Sequence, residues 1–244
     1  MNAAMKSMAM SAAGRLAAAD WPRLAAELDQ RGTATLPGLL GRETCRAIAA
    51  SYADESQFRS RVVMAKHGFG RGEYRYFACP LPFELAATRA ALYAGLAPLA
   101  NQWQERLKVA TRFPATHREF LARCHAAGQA RPTPLLLKYG AGDYNCLHRD
   151  LYGEHVFPLQ MAVLLSVPGT DFSGGEFVVT EQRPRMQSRV EVVPLEQGDA
   201  VLFAVSERPV AGIRGAYRVT HRHGVSRVLH GERFTFGVIL HDAQ

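Results

Sequence analysis

The sequence predicts an α+β fold in which a helical first half supports an antiparallel β barrel or double-sheet jelly roll. Three observations lead there. Residues 84–127 are rich in Ala, Leu, Arg and Glu, the composition of helices. From Pro134 onward, short runs rich in β-branched and aromatic residues alternate with turn clusters such as PGTD, SGG and EQGD. The chain has 244 residues, 48% of them hydrophobic, enough to bury one substantial core.

In chain order, the opening stretch MNAAMKSMAMSAAGRLAAAD holds many Ala and Met residues, but Lys6, Ser7, Ser11, Gly14 and Arg15 interrupt it before a signal-peptide core can form. Residues 1–30 therefore read as a helical tail, frayed or docked. Leu16, Leu24 and Leu28 fall at helical spacing up to Gly32, and TATLPGLL reads as a short strand running into a turn. A second helix is expected over about residues 42–54, with Thr44 near its start. Two helices are expected within 84–127, broken around Pro98 and again around Pro114. Strands follow in LLLKYG, VFPLQMAVLLSV, GEFVVTE, VEVVPL, AVLFAV, YRVTHRHGVSRVL and RFTFGVIL.

Charge and cysteine usage narrow the setting. A formal charge of +7 suits a polyanionic partner, and nucleic acid ranks ahead of a membrane surface because no long apolar run accompanies the charge. Cys45, Cys79, Cys124 and Cys146 are scattered without a CxxC pair, which fits reduced thiols in a cytoplasm. There is no GxSxG elbow and no Cys or His tetrad for structural zinc.

The stretch CLHRDLYGEHVFPLQ places His148 and Asp150 two residues apart. Residues i and i+2 of a strand share a face, so an imidazole and a carboxylate can be offered to one point. Two ligands hold iron poorly. A third from a distant strand would complete a two-histidine, one-carboxylate set that leaves adjacent coordination positions open. A chance HxD at the polar edge of a buried strand is the alternative. What favours the metal is the order of segments downstream, DFSGGEF, PLEQGDAVLF and HRHGVSRVLHGERFTFGV, all inside the strand-rich half.

Those segments carry a resemblance. LKYGAGDYNCLHRD, FSGGEF, QGDAVLF and HGVSRVLHGERFTF together resemble the iron and 2-oxoglutarate dependent dioxygenases, in particular the prolyl-hydroxylase-like branch, over about residues 134–242. TATLPGLLGRETCRAI is similar to the usual N-terminal entry of that superfamily. More narrowly, LHRDLYGEHVFPLQ, EQRPRMQSR and RHGVSR resemble a bacterial group of such oxygenases predicted to act on nucleic acids by oxidative demethylation.

The resemblance implies a double-stranded β-helix (jelly roll) core within a single dioxygenase domain over residues 31–244, supported by N-terminal helices. It implies Fe(II), 2-oxoglutarate and O₂, with hydroxylation of the substrate coupled to decarboxylation of 2-oxoglutarate to succinate. His148 and Asp150 match the proximal ligands and His223 the distal one; His221, on the same strand face, is the rival. Arg233, ten residues after His223, matches the arginine that binds the distal carboxylate of 2-oxoglutarate, and Tyr139 resembles a strand tyrosine that helps hold it in the AlkB-type dealkylases. A core tyrosine with a satisfied hydroxyl is the alternative for Tyr139. Leu137 stands where those dealkylases have an asparagine, so the co-substrate geometry is expected to be of the prolyl-hydroxylase type.

For the substrate, residues 58–77 mix Arg59, Arg61, Lys66, Arg71 and Arg75 with Phe69, Tyr74 and Tyr76, and EQRPRMQSR adds Arg183, Arg185 and Arg189. Cations interleaved with aromatics suit the backbone and stacked bases of a single strand. Arg71, Tyr74, Tyr76, Arg183 and Arg185 are accordingly the candidate substrate contacts, against a solvated loop with tyrosines packed beneath it. Gly68, Gly70 and Gly72 suit a mobile lid in the same segment. Single-stranded or damaged nucleic acid is the expected partner; a peptide residue or small metabolite, and a silent barrel that binds a polyanion, are the other readings.

Overall fold

A computed structural model describes residues 10–213 and 215–244. The elements, in chain order, are helices α1 (Ala12–Ala17) and α2 (Trp21–Arg31), strand β1 (Thr33–Leu36), helix α3 (Arg42–Ala50), strands β2 (Phe58–Val63), β3 (Gly70–Arg71) and β4 (Glu73–Phe77), and helices α4 (Phe83–Arg106) and α5 (His117–Ala126). Then come β5 (Leu135–Tyr139), β6 (Tyr144–His148), β7 (Leu159–Leu164), β8 (Phe172–Gly174), β9 (Phe177–Gln182), β10 (Arg189–Val193), β11 (Ala200–Ala204), β12 (Glu207–Gly212), β13 (Gly215–Val225), β14 (Val228–Gly231) and β15 (Arg233–Val238).

The strands form two main sheets. One has seven strands in the order β1-β11-β7-β15-β5-β4-β2; the other runs β10-β9-β13-β6-β3, with β12 paired to β13, and β8 and β14 form a separate pair. All the ladders are antiparallel, so alternate side chains of each strand face opposite ways. In β15 this alternation does two jobs. Phe234, Phe236 and Val238 pack into the core shared with the helices, whereas Arg233, Thr235 and Gly237 line a cavity on the other side of the sheet. β11 behaves likewise, with Ala200, Leu202 and Ala204 toward the helical core and Val201 and Phe203 in a separate apolar cluster.

The helices form a layer on one face of the seven-stranded sheet. Leu16, Leu24 and Leu28 are fully buried there, so the segment from residue 10 onward is docked and not frayed; residues 1–9 of the expected tail lie outside the described residues. Tyr93, Phe113, Phe120 and Phe157 pack ring against ring, with centroids 4.7–5.8 Å apart. Full burial of each such ring stabilises the fold by about 1.5–3 kcal/mol. Helix α5 begins with a capping box, Thr116 accepting from the Glu119 amide while Glu119 reaches back to Thr116.

Two expectations are corrected. Pro98 does not break a helix; α4 runs uninterrupted from Phe83 to Arg106. Leu92, Leu96, Leu99, Ala100 and Trp103 are all buried around it, and their packing offsets the roughly 3 kcal/mol that an internal proline costs. Residues 58–77 are neither a lid nor a solvated loop. β2 and β4 extend the seven-stranded sheet, while β3 extends the other, so this segment joins the two sheets at one edge. Gly70 has φ +126°, and a Cβ there would lie 2.4 Å from the Tyr144 carbonyl oxygen, which explains the glycine at that crossing.

Two buried histidines couple the fold to pH. Burial, then the nearby Arg89 charge, pushes His117 down to about 4; burial likewise pushes His241 down to about 4. Both folded values lie below the ordinary 6.5, so the unfolded chain binds protons that the folded chain refuses. Stability is therefore expected to fall as pH drops from about 6.5 toward 4, with a shallower slope in His117→Gln. Thermal unfolding midpoints across that range check this; a flat profile would contradict it.

Candidate active site

The sheets bring three distant residues together. His148 closes β6, Asp150 lies two residues beyond the strand, and His223 sits directly opposite His148 in the β6/β13 ladder. Their ligand atoms all lie within 4.8 Å of one another. His148 Nε2 is 3.4 Å from Asp150 Oδ1 and His223 Nε2 is 3.4 Å from Asp150 Oδ2, with the two imidazole centroids 4.2 Å apart. The strand argument for HxD needs amendment, since Asp150 is outside the strand. A register shift between His223 and Val225 also lets both Asn145 and His148 face the cavity and leaves Cys146 exposed.

Protonation is set by this contact. Burial alone would raise the pKa of Asp150, but the hydrogen bonds and charges of His148 and His223 outweigh it and hold the carboxyl well below its ordinary range. Burial, and then the neighbouring His148, pushes His223 down, which favours a neutral imidazole. His148 Nδ1 meets the Cys146 carbonyl at 2.8 Å; a proton there leaves the Nε2 lone pair facing Asp150 and His223. Phe203 and Phe177 back the His223 ring at centroid distances of 4.5 and 6.0 Å. Burial lowers the pKa of His148, but the hydrogen bond and charge of Asp150 outweigh it and raise the value, so an arriving ion would have to displace its Nε2 proton. Two imidazoles and one ionised carboxylate on one side of a cavity are the donor set of a non-haem Fe(II) centre.

The cavity continues to Arg233. This side chain is 1% exposed, its Nη1 donates to the Thr235 hydroxyl, and its Nε has no partner. No ion pair involves it among the described residues. Burial pulls its pKa down to about 10. Tyr139, directly opposite it in the β15/β5 ladder, presents its ring 5.7 Å from the guanidinium, and Asn145 Nδ2 lies 3.3 Å from the Tyr139 hydroxyl. A buried guanidinium with donors to spare is a receptor for an anion, and its planar fork matches a carboxylate.

The rivalry between the two histidines of HRH is resolved by position. His221 is fully buried, but its Nε2 meets Arg208 Nε at 2.9 Å and its ring packs against Gly32 at the end of α2. It stays outside the cluster that His223 joins.

The candidate substrate residues separate into two groups. Tyr74 and Tyr76 line the cavity with Phe69, whereas Arg71, on β3, is 63% exposed, lies 3.7 Å from Asp143 and is not among the lining residues. Arg183 is tied to Glu181 at 2.8 Å, and Arg185 occupies the β9–β10 turn at φ +60°; neither lines the cavity. Sequence reasoning passed over Tyr152, Arg149 and Gln160, which also line it. Gln160 is 3% exposed, with an unpartnered Nε2. Its inward position on β7 could have been read by alternation from the apolar run; Tyr152 carries no such signal because it lies on a loop.

Against known proteins, a family profile described as "Oxygenase, catalysing oxidative methylation of damaged DNA" matches residues 72–243. The chain belongs to this oxygenase family. An uncharacterized protein of Mycobacterium tuberculosis is 48% identical over 167 residues, covering 68% of this chain and 72% of that protein. Among solved structures, a Pseudomonas putida prolyl-4-hydroxylase superimposes with a TM-score of 0.52 at 14% identity, covering 91% of this chain and 96% of that one. A Burkholderia pseudomallei oxidoreductase of the 2OG-Fe(II) oxygenase family gives 0.52 at 16% identity, covering 92% and 93%. A Trichoplax adhaerens prolyl hydroxylase gives 0.54 at 13% identity, covering 89% and 86%. These likenesses establish for this oxygenase the double-stranded β-helix fold. Its two main sheets are the two walls of that jelly roll.

An unpaired buried cation destabilises the free protein. Arg233→Met is therefore expected to raise the unfolding free energy of the metal-free, ligand-free chain by about 1–3 kcal/mol. Chemical denaturation measures it; a loss of stability would show that Arg233 already has its partner within the fold.

Proposed function

We propose that the protein is an Fe(II) and 2-oxoglutarate dependent dioxygenase acting on alkylated bases of nucleic acid. The observation that carries the reading is the pairing, in one cavity of about 200 Å³, of the His148, Asp150 and His223 cluster with a buried guanidinium that has no ion-pair partner among the described residues. A metal-binding site alone explains the first; only an anionic co-substrate explains the second.

His148, Asp150 and His223 would hold the ion, each through an atom already facing the common centre. Arg233, aided by the Thr235 and Tyr139 hydroxyls, would take the far carboxylate of 2-oxoglutarate and fix its orientation. Iron with 2-oxoglutarate supplies a coupled oxidation in which O₂ is split, one oxygen entering succinate as CO₂ is lost and the other reaching the substrate as hydroxyl. Phe177 and Phe203 exclude water from the side of His223. Tyr74, Tyr76 and Phe69 form an aromatic wall suited to a flat, unsaturated group, and Arg149 reaches the same cavity as a partner for phosphate.

The description of the matching family and the net charge of +7 support nucleic acid as the substrate class. No helix among the described residues is long and apolar enough to cross a membrane, and all four cysteines are unpaired, which supports a reducing, cytoplasmic setting.

With Fe(II) and 2-oxoglutarate, an N-methylated single-stranded oligonucleotide is expected to yield formaldehyde and succinate in equal amounts, because the hydroxylated N-methyl group falls apart to the free amine. His148→Ala is expected to reduce both by at least about 10²-fold. Succinate without formaldehyde, together with a hydroxylated peptide, would move the substrate to protein. Oligonucleotide affinity should weaken steeply with salt; an affinity independent of salt would count against a nucleic-acid partner.

A further inference from the structure

Asp150 has a third neighbour that the reaction as described leaves unused. The Tyr152 hydroxyl donates to Asp150 Oδ1 over 2.7 Å, on a carboxylate that is only 7% exposed. Oδ2 faces His223 and accepts no such bond. Each oxygen faces one imidazole at 3.4 Å, Oδ1 that of His148 and Oδ2 that of His223, but only Oδ1 also carries the tyrosine's hydrogen bond, so the two are unequal.

Tyr152 is itself held from both ends. Its carbonyl accepts from Gln129 Nε2 at 3.0 Å, and the same amide group reaches the carbonyls of His155 at 3.2 Å and Asp242 at 2.7 Å while Gln129 Oε1 accepts from the His155 amide at 2.8 Å. Gln129 is fully buried just after α5. The next residue, Gly153, has φ +82°, and a Cβ there would fall 2.4 Å from the Gln129 side chain, so the turn after Tyr152 is fitted to this clamp. Asp242 is fixed in turn by Arg89 at 2.8 Å. On its cavity side Tyr152 shares the lining with Tyr76, whose ring meets that of Tyr74 edge-on at 5.3 Å. The loop that carries Asp150 is thus anchored beside α5 through Gln129, which holds it at Tyr152 and His155.

We propose that Tyr152 is a positioning residue for the metal-binding carboxylate: it occupies one lone pair of Asp150 Oδ1, fixes the carboxylate plane, and directs Oδ2 to the ion. Without it the carboxylate rotates freely and both oxygens compete for the metal, which would fill a position needed for co-substrate or O₂. This rests on the metal site proposed above, and the test separates the two.

The test is Co(II) binding to the purified full-length protein without 2-oxoglutarate, by calorimetry, in a double-mutant cycle of Tyr152→Phe and Asp150→Ala. Tyr152→Phe removes one oxygen from an otherwise unchanged ring, and its circular dichroism is compared with wild type at the temperature of the titration. A bond that orients a metal ligand is worth about 10–100-fold in metal affinity. Tyr152→Phe is therefore expected to weaken Co(II) binding by about that factor in the native background and by less than about twofold when Asp150 is already Ala. An equal loss in both backgrounds, as a general loosening of the loop would produce, overturns the proposal. So does a Tyr152→Phe protein that binds as tightly as wild type. Should Tyr152→Phe fold poorly, Gln129→Glu gives a second reading, since one Oε atom can still accept from His155 while the donor to the Tyr152 carbonyl is gone; unchanged Co(II) affinity in a folded Gln129→Glu protein also overturns it. Wild type that binds no Co(II) would instead refute the metal site itself.

Discussion

Arg233 is buried between two sheets without an ion-pair partner among the described residues, and the cost of that burial is the constraint on which the rest of the site depends. A desolvated guanidinium with a free Nε is tolerated only if the ladder around it is strong enough to hold it there. β15 is central in its sheet, paired on one side with β5 and on the other with β7, and its opposite face is buried in the helical core through Phe236 and Val238. The helical layer therefore does more than support the barrel. It supplies the apolar burial that offsets a cation placed at the inner end of the cavity, and the cation then gives the cavity its preference for an anion.

The same logic governs the carboxylate. Asp150 is nearly as buried as Arg233, yet it is satisfied three times over, by His148, His223 and Tyr152. An ion arriving at this cluster would replace the two imidazole contacts and leave the tyrosine in place. One side of the cavity thus suits a cation and the other an anion; a metal ion would answer the first and a carboxylate of the co-substrate the second.

Much of this was legible in the sequence, for identifiable reasons. Strand alternation made the jelly-roll half readable, because every core strand of an antiparallel sandwich repeats with period two. Ligand order along the chain pointed to His148, Asp150 and His223, whose geometry the ladder register between β6 and β13 then provides. Pro98 misled because local propensity is weaker than the packing of Leu96, Leu99 and Trp103 around it. Residues 58–77 looked like a loop because their arginines and glycines mask short strands, two of which, β4 and β3, find their partners β5 and β6 some 59 to 75 residues away, as in Tyr76 opposite Leu135 and Gly70 opposite Asn145. Arg183 looked like a ligand contact because nothing local announces that Glu181, Arg208 and His221 form a buried network beneath it. Tyr152 was invisible because its role depends on a turn clamped by Gln129, and no periodicity records a clamp.

The most direct test of the account is an anaerobic optical titration. 2-Oxoglutarate added to Fe(II)-loaded protein should produce a visible charge-transfer absorption, since a keto acid chelating ferrous iron accepts charge from it. The band is expected in wild type and in His221→Gln, and should be absent in His223→Ala and strongly weakened in Arg233→Met at the same 2-oxoglutarate concentration. A band that survives loss of His223 but not of His221, or that is indifferent to Arg233, would contradict the assignment of both ends of the cavity.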